Sequence, residues 1–174
     1  NKIDAESITL LEPILKKFTE NYHIHFEENE NLRTIQEQML THVEGYLVGP
    51  IVVNLGMTGM FHKYFMESSF RADEFHKHPE AFAKILDFFV HLGWFSKKND
   101  NYQFTEDGFL FAKRASAYGV TVSYLPMFKH IDNLLFGNAS ELRNIAKNED
   151  EIHVNREMNV WGSGGAHSEY FKIV

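Results

Sequence analysis

The chain has 174 residues, 44% hydrophobic and 24% charged, the composition of about one globular domain with a sizeable core; wholesale disorder is excluded. Seventeen Lys and Arg against twenty-four Asp and Glu leave a net charge of −7, the wrong sign for a protein that works by neutralising phosphates. There is no cysteine, so disulfide scaffolds, thiolate metal sites and cysteine nucleophiles are excluded, and a reducing compartment fits.

The spacing of Ile8, Leu11, Leu15, Phe18 and Tyr22 predicts an amphipathic helix from Glu6 to Tyr22, with Pro13 acceptable only in a first turn. Asp4, Glu6 and Glu12 do not suit the apolar stretch of a signal peptide, so no targeting segment is expected. A polar connector, Glu27 to Asn31, leads to a second helical stripe of Leu32, Ile35, Met39, Val43 and Tyr46, interrupted at Gly49-Pro50. A third helix is expected from Ile51 to about Met66, with Gly56 and Gly59 marking close approach of another backbone and a face for self-association. The apolar run from Tyr46 to Phe61 is broken by Pro50, Asn54 and glycines and falls short of the roughly 18–20 residues of a membrane span, so a cytoplasmic protein without membrane contact is expected.

Phe70 to His76 reads as a short helix. The best-defined element runs from Pro79, in a first helical position, to Gly93, just past the end, with Phe82, Ile85, Leu86 and Phe89 as its buried stripe. Trp94 to Ser96 and Tyr102 to Phe104 read as hairpin strands around a polar tip at residues 97–101, and Thr105 caps a helix with Glu106 and Asp107 in its first turn. Helix, turn, helix and hairpin in this order are the plan of a winged helix-turn-helix. Pro126 to Phe136 is a further short helix closed by Gly137, and residues 138–151 are polar and acidic. The expected fold is therefore mainly α: a winged helix-turn-helix with a small β-hairpin wing and additional N- and C-terminal helices. The organisation expected is N-terminal helices over residues 1–43, a winged helix over 44–118, a helical extension over 119–148, and a linker over 149–174 approaching a catalytic domain absent from this chain.

A winged helix invites a DNA-binding reading, since its second helix enters a major groove. The outward residues of the Pro79 helix are Glu80, Lys84, Asp87 and His91. Two carboxylates repel phosphates, no Arg, Asn or Gln reads base edges, and Lys97 and Lys98 alone are a thin footprint, so nucleic acid is not the expected partner. The pairs His23/His25 and His76/His78 lack a third ligand at metal spacing, and no metal is expected. Gly162-Ser163-Gly164-Gly165 reads as a glycine-rich loop, but His167 stands where a dinucleotide fingerprint needs its third glycine. Around it lie Asn159, Trp161, His167 and Tyr170, a richer company than a plain linker requires.

The run from about Gly45 to Ala117 resembles the N-terminal winged-helix domain of class I S-adenosylmethionine-dependent small-molecule methyltransferases. It is carried by Gly59-Met60-Phe61, by Phe82 to Phe95 and by Tyr102 to Gly108. Asn159 to His167, with Tyr170-Phe171, is similar to the segment leading into the catalytic domain of such enzymes. The resemblance implies a dimerisation and substrate-lid domain, not catalytic by itself, in a homodimer acting on a small molecule. S-adenosylmethionine belongs to the intact enzyme, and no cofactor-binding residue is expected in this chain. His167 is the candidate proton acceptor, and Asn159, Trp161, Gly162, Ser163, Gly164, Gly165 and Tyr170 are candidates to face the substrate. The competing reading is a stand-alone winged-helix regulator or protein-interaction module.

Overall fold

A computed structural model of the chain describes residues 4–20, 22, 24–140, 152–167 and 172. The chain divides into two units, residues 1–113 and 114–174.

In the first unit, Asp4 accepts the Ser7 N–H at 2.8 Å and caps helix α1, Ala5–Thr19. Pro13 lies inside this helix, not in its first turn. The hydrogen bond it forgoes would reach Thr9, which is exposed, while Ile8, Leu15 and Phe18 are buried on the opposite face. Packing of that face outweighs the local penalty.

Asn29 accepts from the N–H groups of Asn31 and Leu32 and starts α2, Glu30–Met57. The break expected at Gly49-Pro50 does not occur; one helix of 28 residues runs through Pro50. Proline deprives only the Tyr46 carbonyl, and Tyr46 is 70% exposed, so water can take that bond. Beyond it Ile51, Val52, Val53 and Leu55 are buried and hold the helix in place. The expected third helix is thus the end of α2, followed by Gly59 at φ +95° and a short α3, Lys63–Glu67.

Phe70 does not begin a helix. Phe70–Arg71 form strand β1, and only Ala72–Phe75 are helical, as α4. Helix α5, Pro79–His91, has Pro79 as its first residue, and its C-terminus closes on Gly93 at φ +76°, where the Trp94 N–H reaches the Phe89 carbonyl at 2.9 Å. Strands β2, Phe95–Lys98, and β3, Asn101–Phe104, form a tighter hairpin than expected, with Lys97 and Lys98 inside β2 and Asn99 in the left-handed region at φ 55°. The antiparallel sheet has the order β1-β3-β2, pairing Phe70 with Tyr102 and Phe95 with Phe104.

The aromatic load is spent beneath this sheet. Phe70, Phe82, Phe89, Phe95, Tyr102 and Phe104 are buried, and the rings of Phe95 and Phe104 meet edge to face at 4.5 Å. The space left between Leu55, Phe89, Trp94 and their neighbours is about 10 Å³, enough for a single water. A mainly helical winged helix-turn-helix with a three-stranded sheet is the fold.

Helix α6, Glu106–Ser123, is capped by Thr105, whose hydroxyl accepts the Gly108 N–H at 3.1 Å. The helix expected from Pro126 to Phe136 is two pieces, α7, Leu125–Phe128, and α8, Ile131–Phe136. In the second unit the glycine-rich segment is not a loop: residues Arg156–His167 form helix α9. Among the described residues no helix is long and apolar enough to cross a membrane.

Candidate functional site

In a DNA-reading winged helix the outward face of α5 must be free to enter a groove. Here α1 lies along that helix. Phe18 meets Phe88 edge to face at 4.9 Å, and Phe88 is buried. Lys84 donates to Glu12 of α1. Asp87 accepts from Lys97 at 2.6 Å and from the Tyr102 hydroxyl at 2.8 Å. The carboxyl of Glu44 in α2 is raised by partial burial and eased back by the charge of His91. Of the four outward residues read from the sequence, Lys84 and Asp87 are hydrogen-bonded to groups of the same unit.

The wing is similarly engaged. The Asp87 carboxylate, and after it the Tyr102 hydroxyl, push the Lys97 ammonium up to about 12. That ammonium stands 5.0 Å from the centre of the Tyr102 ring. Burial pushes the Tyr102 phenol up as well. Lys98 is exposed.

The C-terminal candidates divide by face. The C-terminal half of α6 and the helix α9 touch backbone to backbone. A Cβ on Gly162 would stand 2.7 Å from the Val120 nitrogen, and one on Gly165 would collide with the Ser116 Cβ. A Cβ on Gly119 would meet the Gly162 Cα at 2.8 Å and the Trp161 ring at 3.0 Å. Only glycine permits this approach. Asn159 Nδ2 donates to the Ser123 hydroxyl at 2.9 Å, and the Asn155 N–H reaches the Ser123 carbonyl at 2.7 Å, so the fully buried Ser123 ties the two helices together. Asn159, Gly162 and Gly165 are therefore occupied by α6. Trp161 and Ser163 are half-buried, Gly164 and His167 are exposed, and Tyr170 lies outside the described residues.

This helix does not fit a nucleotide cradle. A phosphate-binding glycine loop presents free backbone N–H groups, whereas the N–H groups of residues 162–165 lie inside a helix and two of the three glycines are pressed against α6. His76 and His78 stand with ring centres 5.8 Å apart, His76 stacked on Phe82 and accepting the His78 N–H, while His23 lies outside the described residues. Among the described residues no group of three or more His, Asp or Glu is placed to hold a metal.

Two features escaped the sequence reading. Phe88 belongs to neither the apolar stripe nor the polar face that spacing assigns to α5, yet a helix carrying Phe82, Ile85, Leu86, Phe88 and Phe89 is too apolar for a single buried stripe. The stripe on α2 points outward: Leu32, Ile35, Met39, Val43 and Tyr46 are 50–70% exposed, while Gln36, Leu40, Glu44 and Leu47 occupy the half-buried face. Of the face expected to self-associate, Ile51 to Phe65 with Gly56 and Gly59, residues Ile51, Val52, Val53, Leu55 and Met60 are consumed by the chain's own core, Tyr64 is exposed, and a Cβ on Gly59 would meet nothing within 4 Å, so no backbone approaches closely there.

A family model described as the AprA winged helix domain matches residues 44–138, which is 95 of the 174 residues and includes the stretch from Gly45 to Ala117. No curated protein matches the chain.

Proposed function

We propose that this chain, which belongs to the AprA winged helix domain family, is a winged helix that packs against protein, serving as the dimerisation and substrate-lid part of an S-adenosylmethionine-dependent small-molecule methyltransferase. The carrying observation is the seating of α1 on the outward face of α5, through Phe18 on Phe88 and Glu12 on Lys84. A helix so covered is a packing element. The methyltransferase assignment is supported by the resemblance of residues 45–117 and 159–171 to such enzymes.

The cofactor belongs to a part of the enzyme outside these residues: residues 162–165 are helical, with Gly162 and Gly165 pressed against α6, and form no open glycine turn that a nucleoside could approach. What this chain contributes is shape. Helices α6 and α9, locked by Ser123 and the glycine contacts, form a stiff support on which Trp161 lies beside Gly119 and Gly164 and His167 are exposed. In this reading His167 accepts or shares a proton with the bound small molecule.

The test is methyl transfer from labelled S-adenosylmethionine by the protein made from its complete reading frame, with and without residues 44–138. The proposal expects labelled small-molecule product from the first and at least a hundredfold less from the second. It also expects His167→Ala to lower kcat/KM about tenfold, or 1.4 kcal/mol. A complete protein that neither binds nor uses the cofactor would leave the regulator reading in place.

A further inference from the structure

We infer that the outer face of α2 pairs, antiparallel, with the same face of a second copy of this chain. The inference names the partner and surface for the dimerisation half of the proposed function and rests on that reading.

Helix α2 is apolar on its outer side. Toward its own unit it places Gln36 and Glu44 among Leu40 and Leu47, while Leu32, Ile35, Met39, Val43 and Tyr46 stand 50, 51, 64, 55 and 70% exposed. A helix that served only its own core would carry this pattern the other way round. The five side chains recur at intervals of three, four, four and three residues, one continuous helical stripe.

The spacing is symmetric about Met39. Counted from it, the others stand at −7, −4, +4 and +7. A two-fold axis through Met39 therefore sets Leu32 against Tyr46 of the second copy, Ile35 against Val43, and Met39 against itself. An isologous interface needs such a self-complementary patch.

Charge selects the antiparallel direction. Glu27, Glu28 and Glu30 cluster at the first end of the stripe, and a parallel pair would lay each beside its own copy. The antiparallel pair sets them beside residues 48–51 of the other chain, which carry no acid. The two helix dipoles also oppose one another. At roughly 100 Å² exposed per side chain, the stripes remove about 1,000 Å² from water in the pair, which reaches the size a specific interface should clear.

The chain has no cysteine, so engineered thiols report the geometry directly. Light scattering after size exclusion should give a dimer at tens of micromolar. Met39→Glu, which sets two carboxylates on the axis at an exposed position, should raise the dimer dissociation constant at least a hundredfold while circular dichroism stays unchanged. Under mild oxidation, Leu32→Cys and Tyr46→Cys chains mixed together should form the mixed disulfide. Leu32→Cys alone should not cross-link, since its two copies lie about 21 Å apart along the axis. A dimer that persists in Met39→Glu, or a Leu32→Cys homodisulfide, overturns this interface and leaves the dimerisation reading standing. A monomer at 50 µM overturns both, and the methyl-transfer assay reports separately on the enzyme.

Discussion

Replacing Gly162 by alanine puts a methyl carbon 2.7 Å from the Val120 nitrogen and 2.8 Å from the Gly119 carbonyl carbon. Both are backbone atoms of α6, so neither rotates away. The same replacement at Gly164, two residues along the same helix, meets nothing within 4 Å. Alanine in a helix interior gains about 1 kcal/mol over glycine, and that gain applies at both positions. At Gly162 it is set against an overpacking cost of about 1–3 kcal/mol, at the upper end because backbone must move. The expected outcome is a loss of about 1–2 kcal/mol for Gly162→Ala and a gain of about 1 kcal/mol for Gly164→Ala. Thermal unfolding should separate the two variants by roughly 8 °C at about 2–4 °C per kcal/mol for a chain of this length. Ser116→Ala together with Gly162→Ala should not rescue the first variant, because the clash is with residues 119 and 120. Equal shifts of the same sign in the two variants would refute the helix-on-helix contact and return residues 162–165 to a loop.

Phe18→Ala should destabilise the chain by about 3–5 kcal/mol in denaturant, since it empties the contact between α1 and Phe88; a loss under about 1 kcal/mol would mean that α1 does not hold to α5. The Lys97 ammonium, ordinarily near 10.5 and held at about 12 in the fold, should contribute stability that is complete below pH 10.5 and lost as pH rises through 12. Asp87→Asn should bring the lysine back toward its ordinary range in a nuclear magnetic resonance titration, and an unchanged midpoint would contradict the ion pair. Calorimetry of this chain with S-adenosylmethionine should show no binding, and a dissociation constant near 1 µM, about −8 kcal/mol, would contradict the placement of the cofactor outside it.

What the sequence made legible was local. Pro79, Gly93 and the stripe between them define α5 within fifteen residues, and Thr105 with its acidic followers defines the start of α6. The winged-helix plan followed from their order. The failures have distant causes. Pro50 ordinarily ends a helix, and α2 passes through it because Ile51 to Leu55 are gripped by the core. Phe70-Arg71 form a strand because residues 101 and 102, thirty positions away, offer them an edge. The glycines at 162 and 165 look like a loop until Ser116 and Gly119 are set against them. The α2 stripe was legible as a stripe, but periodicity does not say whether the partner is the same chain.

The seating of α1 on α5 is tested most directly by fluorescence anisotropy of a labelled 25-base-pair duplex titrated with this chain at about 50 mM salt, where any phosphate attraction is strongest. The account predicts no binding tighter than about 10⁻⁴ M, the weak end of non-specific association. Saturable binding in the micromolar range or tighter, weakening with salt and abolished by Lys84→Glu, would place α5 in a groove and contradict the packing role.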